Sequence, residues 1–280
     1  MKVPDLRVGS RLAFRLDVVT AAAHATCLDL GEPYGHALPS ARLADSLRCI
    51  TNEWPEPHFF FDGTKCDVLS TRFVANLYPD VATLLNAHRA YFNRLFEEPA
   101  LQSGATRWGL KEVRLSADDA HYLKLLYPNC KLLFLVRNPY DAYRSWAARR
   151  NASWKWYYRW PDQPVTAKLF GQIWKETAES FVQQAEQLDA LLVRYEDLKD
   201  RRFDRIESYL GFELNQEAAA VRPTDGPPPL SAIPDSELAE FDDVIGELAE
   251  SLGYTSPSRD ATNPTTYHAA PPPCKNLLRI

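Results

Sequence analysis

The residues best suited to chemistry surround one short apolar run, residues 132–136, which Arg137 follows directly. The run is too short for a helix and is typical of a buried strand. Arg137 is therefore predicted at the C-terminal end of a strand, where open α/β sheets bind ligands. Asn138 is a favoured N-cap and Pro139 suits the first helical position. An arginine fork, with the hydroxyl of Ser145 further along that helix, suits a phosphate monoester. The alternative is that Arg137 pairs with an acid at a sheet edge.

A weaker anion-binding pattern lies near the N-terminus, where a glycine-containing turn is predicted to open a helix. Such a turn offers backbone N–H groups and the positive end of the helix dipole to an anion. Arg7 would supply charge, Gly9 a backbone free to approach the anion, and Ser10 a hydroxyl group. The candidate binding residues of this turn are Arg7, Val8, Gly9, Ser10 and Arg11.

The pattern after the apolar strand resembles the 3'-phosphate-binding motif of sulfotransferases that use 3'-phosphoadenosine-5'-phosphosulfate (PAPS). It reads Arg-Asn-Pro-x-Asp-x-x-x-Ser, from Arg137 to Ser145. In that family the arginine and the serine hold the 3'-phosphate that distinguishes PAPS from ATP-type nucleotides. The resemblance implies PAPS as the cofactor, the same roles for these two residues, and the P-loop sulfotransferase fold. Leu-Gly-Phe at 210–212 and Leu-Gly-Tyr at 252–254 resemble features of bacterial-type members.

Two further segments are similar to the same family. The turn at 6–12 takes the place of the family's phosphosulfate loop, although Leu6 stands where the family has proline and Arg11 where it has a hydroxyl residue. The Arg-Tyr-Glu-Asp-Leu segment at 194–198 resembles a family segment whose tyrosine contacts the adenine. This similarity implies an adenine contact for Tyr195.

In-line sulfuryl transfer needs a cation on the leaving side and a base on the acceptor side. Lys111 is the candidate cation, because it lies near the end of a predicted strand and its Trp-Gly-x-Lys segment is similar to one in bacterial members. Two carboxylates compete as the base. Glu32 follows the first predicted helix, where some members carry a catalytic glutamate. Glu112 lies beside Lys111, near the place of a catalytic histidine in cytosolic members. Glu32 is favoured, Glu112 comes second, and a base that is neither of them is the third option.

The chain alternates short apolar runs with longer helical patterns, which is typical of an α/β protein with a central parallel sheet flanked by helices. Strands are predicted at 58–61, 131–136 and 190–195, with a fourth candidate at 108–113. Helices are predicted at about 11–28, 79–97, 115–126, 139–150, 165–188, 200–210 and 235–252. We expect a single sulfotransferase domain over residues 1–254 and an irregular C-terminal tail over 255–280.

The composition argues against several other classes of protein. A net charge of −5 does not suit a general binder of nucleic acid or membrane surfaces. Five dispersed cysteines without a CxxC pair suit neither a disulfide scaffold nor a zinc site. Asp118 and Asp119 are predicted to complement a helix start capped by Ser116 rather than to bind a metal. Without an apolar run of about 20 residues or a signal-peptide pattern, a cytoplasmic location is expected.

The predicted function is transfer of a sulfuryl group from PAPS to a hydroxyl or amine of a small-molecule or carbohydrate acceptor. Residues 154–160, rich in tryptophan and tyrosine, could line the acceptor pocket, although such a cluster also suits a helix packed on a core. One alternative is a non-catalytic protein that keeps the fold and binds a partner. A P-loop kinase is the other, and the chain has no Gly-Lys-Ser/Thr loop to support it.

Overall fold

The computed structural model describes residues 27–29, 39–48, 81–111, 115–147, 166–214 and 233–257. The strands in these ranges are β1 (Cys27–Asp29), β2 (Arg107–Gly109), β3 (Leu132–Val136) and β4 (Ala190–Arg194). The helices are α1 (Pro39–Arg48), α2 (Val81–Phe92), α3 (Glu98–Gln102), α4 (Ala117–Leu126), α5 (Pro139–Ala147), α6 (Ala167–Gln184), α7 (Tyr195–Lys199), α8 (Asp204–Leu210) and α9 (Asp235–Ser251). A π-helical turn, Asn93–Glu97, joins α2 to α3.

The described strands form two parallel pairs, β1 with β2 and β3 with β4. All of β3 is buried, as expected of a strand covered on both faces. The β3–β4 register aligns Val136 with Arg194. Because the pairing is parallel, the two strands end at the same edge, and the residues that follow them, Arg137 and Tyr195, emerge there together.

The main core lies between β3 and the helices α6 and α9. Phe134 of β3 stacks on Phe181 of α6, with ring centroids 4.5 Å apart. Gly171 of α6 lies against Phe241 and Ile245 of α9, and a Cβ added at this glycine would lie 3.1 Å from Phe241 Cδ2 and 3.2 Å from Ile245 Cγ2. The missing side chain therefore allows the two helices to pack closely.

A second apolar cluster joins α1, α2, the π-helical turn and α4. It contains a buried polar pair, in which His88 Nδ1 lies 3.0 Å from the Tyr122 hydroxyl. Strand β2 is held against this cluster by Trp108, whose ring stacks on Phe96 at a centroid distance of 6.0 Å. The packing of Trp108 thereby orients the chain that leads from β2 to Lys111.

The parallel α/β character predicted from the sequence is confirmed for the described residues, but their strands form two two-stranded sheets instead of one central sheet. The predicted strands at 131–136 and 190–195 are confirmed, as are the six described helices predicted from position 79 onward, to within a few residues at their ends. The fourth candidate strand is shorter and ends at Gly109. The predicted strand at 58–61 lies outside the described residues, and the domain bounds remain a prediction.

The helix predicted at 11–28 is wrong at its end, because Cys27 and Leu28 belong to β1. Pairing with β2 supplies the backbone hydrogen bonds of this segment, and such tertiary pairing overrides local helical periodicity. Helix α1 was not predicted. Its signal is a proline at the first helical position, followed by leucines spaced four apart, Leu43 and Leu47. Within the ranges that the structure describes, no helix is both long enough and apolar enough to cross a membrane.

Candidate functional site

The turn between β3 and α5 is shaped by its own residues. Asn138 Oδ1 accepts hydrogen bonds from the backbone N–H groups of Tyr140, at 2.9 Å, and Asp141, at 3.3 Å. Pro139 needs no partner for its nitrogen at the first helical position. The predicted N-cap is confirmed, and the N-terminus of α5 therefore lies directly after Arg137.

Within the described part of the chain, the guanidinium of Arg137 lies on an aromatic ring and not on a carboxylate. Its Cζ atom is 5.0 Å from the centroid of the Tyr195 ring, and the residue is half-buried. Among the residues that the structure describes, Arg137 makes no ion pair. The predicted alternative, an arginine paired with an acid at a sheet edge, finds no support in these ranges. A cation–π contact orients the guanidinium without neutralising its charge, which leaves its N–H groups able to bind an anion.

Three side chains from other elements hold the backbone of the turn at 136–138. Tyr254, which follows α9, donates its hydroxyl hydrogen to the carbonyl oxygen of Val136 at 3.2 Å. Trp174 of α6 donates its indole N–H to the carbonyl oxygen of Arg137 at 3.1 Å. Glu196 of α7 accepts a hydrogen bond at its Oε1 atom from the backbone N–H of Asn138, at 3.0 Å. Each of these three backbone groups thus has a side-chain partner.

The carboxyl group of Glu196 is electrostatically unusual. Burial raises its pKa above the ordinary glutamate value, and the Asn138 N–H, the Tyr254 hydroxyl and the charge of Arg194 oppose this rise without cancelling it. Tyr254 is fully buried, with its hydroxyl 3.0 Å from Glu196 Oε2, and burial raises the pKa of this phenol strongly. The guanidinium of Arg194 lies over the Tyr254 ring, 4.7 Å from its centroid.

Helix α5, which carries Ser145 in its last turn, is anchored by the C-terminal helix. Tyr143 donates its hydroxyl hydrogen to Glu237 of α9 at 2.8 Å, and Tyr140 donates to Asp242 of the same helix. Ser145 itself is half-buried. The structure therefore brings Arg137 and Tyr195 together and places Ser145 on the helix that begins at the same turn.

A narrow cavity opens beside Arg137, between the end of β3 and α6. Its lining includes Trp174, Thr177 and Phe181. The walls are largely apolar, with the arginine at one side.

The described ranges include one further predicted site residue, Lys111. Lys111 is half-buried, two residues beyond the end of β2 and next to the buried Leu110. The other candidates lie outside the described residues, as does the aromatic stretch 154–160. These candidates are Glu32, Glu112, Arg7, Val8, Gly9, Ser10 and Arg11.

Sequence reasoning missed the residues that support the turn. Glu196 and Tyr254 lie in two segments that family resemblance had singled out, Arg-Tyr-Glu-Asp-Leu and Leu-Gly-Tyr, but neither residue was given a role. Trp174 is one of the buried residues of α6. Nothing in the neighbouring sequence indicates the partner of its indole N–H. An aromatic residue with a polar atom is nevertheless a reason to look for a buried partner.

The fold and the site together define an α/β protein with a cationic turn at the end of a parallel strand pair. Residues 118–220, from α4 through α8, match the family model for the sulfotransferase domain. For this segment, the match confirms the resemblance to sulfotransferases that the sequence indicated. The matched segment contains Arg137, Ser145 and Tyr195. No curated protein and no solved structure matches the chain.

Proposed function

We propose that this chain transfers a sulfuryl group from PAPS to a hydroxyl or amine of a small-molecule or carbohydrate acceptor, as a bacterial-type sulfotransferase of the cytoplasm. The observation that carries the proposal is the half-buried guanidinium of Arg137. It makes no ion pair within the described ranges and lies at the C-terminal end of β3, inside the segment that matches the sulfotransferase domain. A guanidinium in this position suits the dianionic 3'-phosphate of PAPS.

The residues around Arg137 fit the rest of the nucleotide. The ring of Tyr195 is in contact with the guanidinium and offers a flat face on which an adenine can stack. Ser145 would add a hydroxyl donor to the same phosphate. The N-terminal turn, Arg7 to Arg11, would hold the phosphosulfate through its backbone N–H groups and its charges.

In the proposed reaction, the acceptor oxygen or nitrogen forms a bond to sulfur while the bond from sulfur to the leaving phosphate oxygen breaks. When bound, PAPS supplies the sulfuryl group and leaves as adenosine 3',5'-bisphosphate. Lys111 would stabilise the charge that grows on the leaving phosphate. Glu32 would take the proton of the acceptor, with Glu112 as the second candidate for that role.

The first test is a calorimetric titration of the full chain with adenosine 3',5'-bisphosphate, and with AMP and ATP·Mg²⁺ for comparison. The bisphosphate is expected to bind most tightly, because only it presents the 3'-phosphate to Arg137. Arg137→Ala is expected to weaken its binding roughly 10- to 100-fold, the loss typical of hydrogen bonds to a charged group, and to leave AMP binding almost unchanged.

Arg202→Ala provides the matched control, because it also removes one positive charge. The Arg202 side chain is 59% exposed, and its ion pairs in the described ranges are with Asp197 and Asp200 and not with the turn at 136–138. Equal binding of AMP and the bisphosphate by the wild-type chain would contradict the proposal. A preference for ATP·Mg²⁺ would indicate a kinase, and binding of none of the three would indicate a non-catalytic protein of this fold.

A second test addresses the chemistry. Glu32→Gln and Glu112→Gln are compared in a transfer assay with PAPS and a panel of alcohols, amines and sugars. The variant that lacks the base is expected to lose turnover by about 10²- to 10⁴-fold and to keep its affinity for the bisphosphate. Near-normal turnover in both variants would exclude both carboxylates as the base.

A further inference from the structure

The position of Arg137 depends on the peptide that follows it, and that peptide is held by Glu196. The backbone N–H of Asn138 donates to Glu196 Oε1 at 3.0 Å. This N–H lies between the cap of α5 and the arginine, so a shift of the peptide would redirect both the helix start and the guanidinium. Glu196 makes this contact from α7, directly after Tyr195, whose ring lies under the guanidinium.

The other oxygen of Glu196 connects the same turn to the C-terminal end of α9. Tyr254 places its hydroxyl 3.0 Å from Glu196 Oε2 and 3.2 Å from the carbonyl oxygen of Val136. Glu196 and Tyr254 therefore bridge residues on both sides of Arg137. The chain reaches Tyr254 through Gly253, whose backbone is left-handed, with φ near +79°, and lies against Arg194.

Counting hydrogens shows how this bridge is completed. Tyr254 has one hydroxyl hydrogen, and two oxygen atoms lie within reach of it, the carbonyl oxygen of Val136 and Oε2 of Glu196. If Glu196 is ionised, one of these two contacts has no hydrogen. A protonated Glu196 donates from Oε2 to the Tyr254 oxygen, and Tyr254 then donates to the Val136 carbonyl. A glutamine at this position can make the same set, because its amide oxygen accepts from Asn138 and its NH₂ group donates to Tyr254.

We propose that Glu196 is a positioning residue for the anion site: bonded to Asn138 and Tyr254, it holds the turn so that the guanidinium of Arg137 presents its N–H groups to a 3'-phosphate. This inference rests on the proposed function. It assigns to Glu196 no contact with the nucleotide or with the reacting atoms. It also makes the docking of Tyr254 a part of the cofactor site.

The test measures, by calorimetry on the full chain, the ratio of the dissociation constants for AMP and for adenosine 3',5'-bisphosphate. Glu196→Ala is expected to lower this ratio about tenfold, because the loss falls on the 3'-phosphate and not on the rest of the nucleotide. Glu196→Gln is expected to keep the ratio within about threefold of the wild-type value, since the amide can make every contact of the bridge. Tyr254→Phe is expected to lower it by a smaller factor.

Tyr209→Phe is the matched control for destabilisation. The Tyr209 hydroxyl also bridges backbone groups of the β3–β4 pair, Leu132 N–H at 2.9 Å and the carbonyl of Asp189 at 2.6 Å, but at the opposite end of the strands. If the role of Glu196 is purely structural, Glu196→Ala should lower the thermal midpoint, as Tyr209→Phe should, and should leave the ratio unchanged.

The outcomes separate this inference from the proposed function. A wild-type ratio near one overturns both. A wild-type preference for the bisphosphate that is lost in Arg137→Ala and kept in Glu196→Ala overturns the inference alone. If Glu196→Ala does not fold, Tyr254→Phe decides: an unchanged ratio in this variant overturns the inference, and a lowered ratio supports it.

Discussion

At the scale of single residues, the charged groups in and around the site differ in their exposure to water. Arg202 and its carboxylate partners are on the surface, where an ion pair contributes about 0–1 kcal/mol. Glu196 is removed from water and is hydrogen-bonded to a backbone N–H and to a phenol. Burial raises the pKa of Glu196, whereas those hydrogen bonds and the charge of Arg194 lower it. Burial is the largest of these effects, so the pKa is raised.

The first prediction follows from the direction of this shift. A carboxyl group whose pKa is raised on folding contributes stability that is fully present below its unfolded pKa, about 4.3, and is lost as pH rises through the folded value. Glu196→Gln cannot ionise, so its free energy of unfolding relative to the wild type should increase as pH rises through that window and then level off. Urea unfolding of both chains, from about pH 4 to about pH 8, measures the difference.

Among the residues that the structure describes, Arg194 and Tyr254 act on the charge of Glu196 and could alter this result. Tyr254 stays protonated over this range because burial raises the pKa of its phenol, and an arginine side chain is not deprotonated in proteins. Neither therefore adds a transition of its own. A difference that stayed constant with pH would show that Glu196 titrates alike in the folded and unfolded chains.

At the scale of elements, the contact between α6 and α9 decides how the site is enclosed. α6 carries Trp174, α9 receives the hydroxyls of the two α5 tyrosines, and the chain after α9 carries Tyr254. The close approach of these helices depends on Gly171, which faces the fully buried side chains of Phe241 and Ile245. The distance between two helices therefore controls contacts at the end of β3.

The second prediction compares alanine substitutions at two helical glycines. Gly171→Ala gains about 1 kcal/mol of helix propensity but forces a methyl group to within 3.1 Å of Phe241 Cδ2. Overpacking costs about 1–3 kcal/mol, so a net loss of about 1 kcal/mol is expected. Gly246→Ala in α9 would meet only the Asp242 side chain, at 3.6 Å or more, and is expected to gain up to about 1 kcal/mol.

Chemical denaturation of the two variants beside the wild type measures both changes. Because the propensity gain is common to both helices, the difference between the variants reports the packing cost at Gly171. Equal stabilisation by the two substitutions would mean that α6 and α9 can separate without cost.

At the scale of the whole molecule, the site is assembled from segments far apart in the chain. The hydrogen bond from Tyr254 to Val136 spans 118 positions, and that from Trp174 to Arg137 spans 37. Binding at such a site stabilises every element that contributes to it, because the ligand binds only the assembled form. Ligand binding and global stability are therefore expected to be linked.

The third prediction is a thermal shift that depends on the 3'-phosphate. Adenosine 3',5'-bisphosphate at about 100 times its dissociation constant adds about 2.7 kcal/mol, which raises the midpoint of unfolding by roughly 5–10 °C. AMP at the same concentration is expected to give a much smaller shift. Arg137→Ala should reduce the bisphosphate shift to the AMP level, and an undiminished shift would mean that the nucleotide binds elsewhere.

Local patterns predicted much of the fold and part of the site. The apolar runs of β3 and β4, the Asn138 cap, the proline at the start of α5 and the capping box in which Asp119 accepts the Ser116 N–H at 2.9 Å all follow from residues close in sequence. These interactions join neighbours, so they form in the same way wherever the segment lies. The same locality explains why Arg137 could be placed at a strand end from the sequence alone.

Only the tertiary structure decided what surrounds that arginine. It brought the Tyr195 ring to the guanidinium, and it brought Trp174, Glu196 and Tyr254 to the backbone on either side. It also turned Cys27 and Leu28 into a strand, because a partner strand was present at 107–109. Periodicity reports which face of a segment is apolar but not which distant polar atom meets it. That choice follows from how helices pack on the sheet, through contacts such as the one at Gly171.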